Sequence, residues 1–244
     1  MQNKKLCIAT DLDGTFLEGT TAEKEQFYQF LSQEKERIAV IFVTGRTLGL
    51  VKNLYQGGLN FIPDYIIADH GSVIVRGENF EYVDEIQSEI MEKWENARHD
   101  ELRSLLDIQT VQKQPFNPPF CHAYYYQKDT FDMSIVPEIQ SLGFECILSH
   151  DVYLDILPSN VGKGSTLKKL IRSEGCDEKK VITCGDSLND LPLFQSGYKS
   201  IAVANLEPAL LAPIENMDNV YLSQHPGISG IIDGLMHYKI QDLF

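Results

Sequence analysis

Short, continuous apolar runs of strand length recur along this chain, and segments with helical patterning separate them. A run that is apolar throughout is typical of a strand buried on both faces, as in a parallel sheet that helices cover. The runs occupy residues 6–10, 38–43, 65–68, 181–184, 200–203 and 219–222. The pattern therefore predicts an α/β fold with a doubly wound parallel sheet, a Rossmann-like core.

The middle of the chain has a different pattern. Residues 86–106 are charged and amphipathic and predict one long helix, whereas the aromatic segment 122–126 is typical of a strand. A helix at 133–142 and two strands at 144–148 and 152–157 follow. This order of elements predicts a small α+β unit that is distinct from the parallel sheet.

The boundaries of this unit follow from where the two patterns change. We expect residues 1–79 and 161–244 to form the sheet core, and residues 80–160 to form a cap domain inserted into it. A chain of 244 residues is long enough for a core with one such insert.

Composition and charge exclude several classes of function. No apolar run approaches the roughly 20 residues that cross a bilayer, and no signal peptide is predicted. The net charge of −14 disfavours a nucleic-acid partner, because such a surface repels phosphate backbones. Five dispersed cysteines without a CxxC pair fit a reducing compartment. We expect a cytoplasmic protein, a monomer or a small homo-oligomer, without a membrane or nucleic-acid partner.

Two carboxylates follow the first strand directly, in the segment Asp11-Leu12-Asp13-Gly14-Thr15. Ligands bind beyond the carboxyl ends of strands in open α/β sheets, so both side chains are expected at such an edge. Carboxylates this close need a cation or a shared proton to lower their repulsion. The alternative is a strand-end turn capped by aspartate.

A second cluster follows the strand at 181–184, in the segment GDSLND of residues 185–190. Asp186, Asn189 and Asp190 offer the hard oxygen atoms that Mg²⁺ prefers. A helix N-cap is the alternative interpretation, but it accounts for one oxygen-bearing side chain rather than three.

Two further segments are suited to binding phosphate. Thr44 and Gly45 follow the second strand, where a hydroxyl and backbone N–H groups at a helix start can hold phosphate oxygens. Lys163 stands between two glycines, which let a cation approach a phosphate closely. Each is a common turn by itself. The acidic surface would repel a phosphorylated substrate, so such a site needs local cations.

These four elements, in this order, resemble the motifs of the haloacid-dehalogenase superfamily, here DLDGT, Thr44, Lys163 and GDSLND. The resemblance covers the whole chain and extends to the branch that holds sucrose-phosphate phosphatases, through residues 63–68 (PDYIIA) and 155–164 (DILPSNVGKG). It implies a Mg²⁺-dependent phosphatase, a phosphoric monoester hydrolase that acts on a phosphorylated sugar or a similar small metabolite.

The resemblance also implies catalytic roles. Asp11 would attack phosphorus and form an aspartyl-phosphate, and Asp13 would protonate the leaving oxygen and then activate water. Mg²⁺ would sit on Asp11, on the backbone carbonyl of Asp13 and on Asp186. An aspartate at position 13 separates this chain from true dehalogenases, which lack that acid.

The remaining motif residues receive supporting roles from the same resemblance. Thr44, Gly45 and Lys163 would bind the oxygens of the transferring phosphate. Asn189 and Asp190 would orient Lys163 or metal-bound water.

Substrate choice is expected to lie with the cap and with residues beside the motifs. His122 and Tyr124 share one face of a predicted strand, which suits stacking and hydrogen bonding to a sugar, although aromatic packing within the cap is an equal alternative. Asp155 is expected to face outward and accept from sugar hydroxyls. Arg46 is expected to hold the far side of the substrate, and His70 is expected to line the cleft.

Two other functions are alternatives to a phosphatase. A sugar phosphomutase would need clustered cap arginines for a second phosphate, and Arg98 and Arg103 lie instead on a charged helical segment. A non-catalytic metabolite-binding module would have lost the nucleophile or the acid, and both Asp11 and Asp13 are present.

Overall fold

The computed structural model describes residues 1–116, 118–149 and 151–240. Within these ranges, the strands are β1 (Leu6–Thr10), β2 (Ile38–Val43), β3 (Tyr65–Ala68), β4 (Val73–Arg76), β5 (Val111–Lys113), β6 (His122–Tyr126), β7 (Phe144–Ser149), β8 (Tyr153–Pro158), β9 (Val181–Gly185), β10 (Lys199–Ala202) and β11 (Val220–Leu222). The helices are α1 (Thr21–Gln33), α2 (Leu48–Gln56), α3 (Asp84–Asn96), α4 (His99–Leu106), α5 (Val136–Ser141), α6 (Lys163–Ser173), α7 (Leu191–Phe194), α8 (Pro208–Ile214) and α9 (Gly227–His237).

The chain divides into two compact units. One unit comprises Met1–Tyr82 with Lys163–Phe244, and the other comprises Val83–Gly162. These boundaries lie two or three residues beyond those expected from the sequence. No helix in the described part of the chain has both the length and the apolarity to span a bilayer.

The first unit is built on one sheet with the strand order β11-β10-β9-β1-β2-β3-β4. Neighbouring strands run parallel from β11 to β3, with Cys7 opposite Ala39 on one side and Val181 on the other. Only β4 is antiparallel, where it pairs with β3. The predicted α/β class is confirmed, but β4 was not expected, because a short apolar run after a turn carries no sign of its direction.

An aromatic cluster fixes the turn that follows β1. The ring of Phe16 stacks on Tyr28 with the ring centroids 4.8 Å apart, and Phe42 and Phe61 pack around it. The Tyr28 hydroxyl donates to the Phe16 carbonyl at 2.9 Å. Each aromatic pair of this kind contributes about 1 kcal/mol beyond burial. The cluster therefore anchors the far end of the segment that contains Asp11.

The second unit is an antiparallel sheet with the strand order β5-β6-β8-β7 and helices packed against it. Its hydrophobic core joins residues of the helices, such as Leu102 and Ile139, to Phe144, Leu154 and Ile156 of the strands. The predicted small α+β unit thus has its own core, as an inserted domain requires.

The long helix predicted over residues 86–106 is wrong, because the structure has two helices there. The first ends at Asn96 and the second begins at His99. Ala97 has an extended backbone, and the Arg98 N–H donates to the Leu142 carbonyl at 3.1 Å. A backbone bond to another element therefore replaces the helical one, at a point without glycine or proline.

Candidate active site

Three strands of the first unit end beside one another, and each delivers a polar residue to the same edge. Asp11 follows β1, Thr44 follows β2 and Asp186 follows β9. The Asp11 N–H still donates to the Cys184 carbonyl at 2.9 Å, so the sheet holds its backbone. Lys163 joins them from the first residue of α6. The four motifs found in the sequence therefore meet at the carboxyl edge of one sheet, where open α/β folds bind ligands.

Lys163 connects two of these motifs. Its ammonium lies 2.8 Å from Asp11 Oδ1, 2.5 Å from Asn189 Oδ1 and 2.6 Å from Asp190 Oδ1, which occupies all three of its donors. The side chain is 1% exposed. Burial lowers the pKa of Lys163, but the carboxylates of Asp11 and Asp190 raise it more, so the pKa lies above its usual value. Lys163 is a permanent buried cation beside Asp11.

Opposing effects act on the pKa of Asp11. It is 5% exposed, and this burial raises its pKa well above the ordinary value. Lys163 opposes that rise, whereas the carboxylates of Asp190 and Asp186 add to it. Only the ionised form can act as a nucleophile. Lys163 supplies one positive charge beside the three carboxylates of Asp11, Asp186 and Asp190, so a further cation would be needed to balance their charge when all three are ionised.

The donor set fits a hard divalent cation. Asp11, Asp186 and Asp190 each offer a carboxylate oxygen, and these atoms lie within 4.8 Å of one another. Burial raises the pKa of Asp186 to about 6, although the Thr15 hydroxyl donates to its Oδ1 at 2.7 Å. One oxygen of Asp190 already has partners, because its Oδ2 accepts hydrogen bonds from the N–H groups of Asp186 and Ser187 at 3.1 Å. Carboxylate oxygens gathered in this way are the ligands that Mg²⁺ prefers.

Arg46 is the partner of Asp13, whereas Lys163 is the partner of Asp11. The guanidinium makes two hydrogen bonds of 2.6 Å, from Nε to Asp13 Oδ2 and from a terminal nitrogen to Oδ1. The Asp13 side chain is 56% exposed, unlike that of Asp11. Gly14 follows with φ +76°, and a Cβ there would lie 2.3 Å from the Asp186 carboxylate, so only glycine fits. The two aspartates of the motif thus have different environments, one buried and one accessible.

The turn after β2 packs against the loop after β3. Thr44 is buried, and its hydroxyl accepts the Arg46 N–H at 3.1 Å. The His70 N–H donates to the Thr44 carbonyl at 3.1 Å, and His70 has a φ of +56°. A Cβ added at Gly45 would lie 2.5 Å from the His70 ring. His70, expected to line the cleft, therefore lies directly against the predicted phosphate-binding turn.

Three supporting residues had no assigned role in the sequence. Thr15 bonds Asp186, the Asn205 side chain donates to the Gly14 carbonyl at 2.8 Å, and Asp69 Oδ2 accepts the Leu48 N–H at 3.2 Å. Thr15 stands inside the DLDGT motif, so its position was a usable signal. Asn205 and Asp69 lie in loops without a motif, where sequence offers none.

The predicted substrate residues of the cap lie in the second unit. His122 packs against Trp94, with ring centroids 4.7 Å apart, and its Nε2 lies 2.9 Å from His99 Nδ1. His99 Nε2 lies 2.7 Å from the Trp94 carbonyl. That carbonyl can only accept, so His99 donates from Nε2; in the neutral His99 ring, Nδ1 is then an acceptor and His122 donates to it from Nε2. Burial, followed by the neighbouring His99, lowers the pKa of His122 to about 4. These contacts are those of the packing alternative.

The other two cap residues also have partners inside this unit. Tyr124 packs against the core of the cap. Asp155 was expected to face outward, but it is 7% exposed, because β8 is an interior strand that places it opposite Ala123 and Ile147. The Cys121 thiol lies 3.8 Å from Asp155 Oδ1. Asp155 is therefore a buried carboxylate rather than a surface one.

The fold and the arrangement of motifs define the class of protein, a member of the haloacid-dehalogenase superfamily with a Rossmann-like α/β core and a cap domain. The solved structure of the sucrose-phosphatase from Synechocystis sp. PCC6803, in complex with sucrose and phosphate, has the same fold, with a TM-score of 0.83. The similarity covers 97% of this chain and 98% of that one, at 22% sequence identity.

Sequence comparison identifies the family. The profile of the sucrose-6F-phosphate phosphohydrolase family matches residues 4–239, and the chain belongs to this family. The chain is 30% identical over 234 residues to the glucosylglycerol-phosphate synthase of Pseudomonas anguilliseptica, and 29% identical over 253 residues to sucrose-phosphatase 1 of Nicotiana tabacum. The matches cover 96% and 97% of this chain but 31% and 60% of those relatives. The expected resemblance to the sucrose-phosphate phosphatase branch is confirmed.

Proposed function

We propose that this chain is a Mg²⁺-dependent phosphatase that hydrolyses a sugar phosphate through a phosphoryl group carried on Asp11. The observation that carries the proposal is the buried contact of 2.8 Å between Lys163 and Asp11, at the edge where all four motifs converge. A cation fixed against a strand-end carboxylate suits a nucleophile that must approach an anionic phosphate.

In the first step, an Asp11 oxygen attacks phosphorus and the bond from phosphorus to the sugar oxygen breaks. Asp13 acts in its protonated form, with one oxygen released from Arg46, and gives that proton to the leaving oxygen; its exposure lets it reach a substrate. Lys163 and the Thr44 hydroxyl hold the phosphate oxygens while charge develops on them. The products of this step are the free sugar and an aspartyl-phosphate.

In the second step, Asp13 takes a proton from a water molecule, and the water oxygen attacks phosphorus. The bond between phosphorus and Asp11 breaks, and inorganic phosphate leaves. Asp11 and Asp186, with the backbone carbonyl of Asp13, would hold Mg²⁺, which offsets the repulsion between the Asp11 carboxylate and the phosphate. Asn189 and Asp190 keep the Lys163 ammonium in place throughout.

The names of the relatives narrow the substrate class. The family's name refers to sucrose 6F-phosphate and one relative's name to glucosylglycerol phosphate, and both compounds are phosphates of a glucoside. We assign this chain the same class, a glycoside phosphate rather than a free hexose phosphate. Selection is assigned to the cap, with Asp155 as the hydrogen-bonding residue and His122 and Tyr124 shaping its interior.

A substrate panel tests this proposal. Release of inorganic phosphate is measured for sucrose 6F-phosphate, glucosylglycerol phosphate, glucose 6-phosphate, fructose 6-phosphate and an aryl phosphate, with Mg²⁺ and with a chelator. We expect one of the glycoside phosphates to have the highest kcat/KM and all activity to stop in chelator. A free hexose phosphate as the best substrate would overturn the assigned class, and full activity in chelator would overturn the metal dependence.

The role of Asp155 is tested on the same panel. Leaving one buried hydrogen-bonding partner unsatisfied costs about 1–3 kcal/mol, so Asp155→Asn should lower kcat/KM for the glycoside phosphate by about five- to a hundredfold. Hydrolysis of the aryl phosphate should change little, and Asp151→Asn, an exposed cap carboxylate, is the control. Equal losses on both substrates would show that Asp155 is structural.

The cellular setting forms part of the proposal. All five cysteines are free, which agrees with a reducing cytoplasm. We assign the chain a small phosphorylated metabolite as its partner rather than nucleic acid or membrane, and a monomeric or small homo-oligomeric state.

A further inference from the structure

A pocket lined by lysines lies at the amino ends of three strands in the first unit. Its volume is about 260 Å³. Lys5 precedes β1, Lys180 precedes β9 and Lys199 begins β10. We call this pocket the lysine pocket. The basic residues that line it are Lys5, Lys179, Lys180, Lys199 and Lys239. The buried Leu6 and Ile182 lie at its base, and the partly exposed Ile240 contributes apolar surface to it.

The charge of this pocket is opposite to that of the protein. The chain has 35 acidic residues against 21 basic ones, yet five of those 21 line this pocket. Among the residues that the structure describes, no acidic side chain lines the pocket. Lysines gathered at one place repel one another, so the arrangement costs free energy unless an anion offsets it.

The contacts of the individual lysines do not neutralise them. The Lys180 ammonium donates to the Lys4 carbonyl at 3.3 Å, and the Lys199 ammonium lies 5.1 Å from the centre of the Tyr238 ring. A carbonyl and an aromatic ring attract a cation without removing its charge. Within the described ranges, none of the five lysines forms an ion pair with a carboxylate.

Two ordinary explanations for a lysine cluster do not apply. Lysines often protect the exposed edge strands of sheets from aggregation, but β1, β9 and β10 are interior strands of this sheet. The cluster is also separate from the phosphatase site. Asp11 and Asp186 lie beyond the carboxyl ends of β1 and β9, and a strand of five residues spans roughly 16 Å.

We propose that the lysine pocket is a binding site for a polyphosphate chain, distinct from the catalytic centre. Five point charges around one concave surface attract an anion with several charged phosphate groups more strongly than a singly charged one. The same chemistry is found in inorganic polyphosphates and in nucleoside triphosphates. The partly exposed Ile240, which also lines the pocket, offers a base an apolar contact and favours the nucleoside triphosphate, and the test separates the two. This inference does not depend on the identity of the sugar phosphate.

The test is titration calorimetry on the full chain in chelator at low ionic strength. The probes are inorganic tripolyphosphate, adenosine triphosphate and orthophosphate. The pocket variant carries Lys5→Gln, Lys179→Gln and Lys239→Gln, three exposed lysines outside the catalytic machinery. A matched control variant changes the net charge equally at exposed lysines elsewhere, through Lys35→Gln, Lys52→Gln and Lys113→Gln.

We expect saturable binding of tripolyphosphate or adenosine triphosphate to the wild type, and weaker binding of orthophosphate. The pocket variant removes three of the five charges and should therefore bind about three- to a hundredfold more weakly, whereas the control variant should bind within about twofold of wild type. Hydrolysis of an aryl phosphate should be unchanged in both variants, which shows that they fold.

Three results would overturn the proposal. The first is no saturable binding of either polyphosphate to the wild type. The second is equal weakening in both variants, because that is an effect of net charge alone. The third is undiminished binding in the pocket variant, because that places the polyphosphate in the phosphatase site. Tighter binding of adenosine triphosphate than of tripolyphosphate assigns the ligand to nucleotides, and the reverse assigns it to inorganic polyphosphate.

Discussion

Arg46 holds both carboxylate oxygens of Asp13 through two hydrogen bonds of 2.6 Å each. Asp13 is the proposed acid and base of the reaction, so its neighbour decides where that proton is delivered. The pair joins the turn after β1 to the turn after β2, and these carry the proposed nucleophile and the proposed phosphate-binding residues. Arg46 therefore acts as a positioning residue for Asp13.

Arg46→Gln should lower activity most where the leaving group most needs a proton. General acid catalysis typically contributes 10²–10⁴-fold, and a misplaced Asp13 loses part of it, so we expect about a tenfold or greater loss of kcat for a sugar phosphate. An aryl phosphate has a better leaving group and should lose less. Arg172→Gln, which removes an exposed ion pair with Glu178, is the control. Equal losses on both substrates would contradict the positioning role.

Thr15→Val should weaken Mg²⁺ binding without removing a ligand. The Thr15 hydroxyl stabilises the charged form of Asp186, and burial already raises the pKa of that carboxyl to about 6. Loss of a residue that orients a ligand typically costs 10–100-fold in metal affinity, so we expect half-saturation at about tenfold more Mg²⁺. Thr130→Val in the cap serves as the control. An unchanged Mg²⁺ requirement would refute this role.

The apparent affinity for Mg²⁺ should depend on pH through Asp186. Its carboxyl is protonated below a pH of about 6 and ionised above it. Protons therefore compete with Mg²⁺ only on the acid side, where the affinity should fall by about tenfold for each pH unit. The Mg²⁺ requirement should become constant only where Asp11, whose pKa burial also raises, is ionised as well as Asp186. Mg²⁺ half-saturation measured between about pH 5 and pH 8 checks this, and a value independent of pH would argue against Asp186 as a ligand.

Gly45→Ala should damage the proposed phosphate-binding turn through His70. The new Cβ would lie 2.5 Å from the His70 ring, and overpacking of this kind costs about 1–3 kcal/mol. In a His70→Ala background the same change should cost much less, which a double-mutant cycle on thermal stability and kcat/KM measures. Gly49→Ala, where the nearest atom is 3.8 Å away, is the matched control. Additive effects at positions 45 and 70 would show that the two residues are not coupled.

The sequence predicted the parts of this protein that depend on strand ends. Buried runs at 6–10, 38–43 and 181–184 carry their polar residues directly behind them. A parallel sheet brings such residues to the same edge, so their placement at one edge followed from the pattern, whereas the meeting of Asp11 with Asp186 also depends on β1 and β9 being neighbours.

The features that the sequence did not predict depend on contacts between distant segments. The pairing of Arg46 with Asp13 requires two turns to face each other, and the helix break at Ala97 requires a backbone bond to Leu142. The burial of Asp155 follows from the interior position of β8. No local pattern of residues encodes strand order or the approach of one turn to another, so these features required the structure.

The central claim is that Asp11 carries the phosphoryl group during turnover. Its most direct test is rapid acid quenching of the working enzyme, followed by mass spectrometry of the peptide that contains Asp11. We predict a phosphoryl adduct on Asp11 during turnover and its absence in Asp11→Asn, which should be inactive but folded by circular dichroism. An adduct on another residue, or steady turnover by Asp11→Asn within tenfold of wild type, would contradict the account.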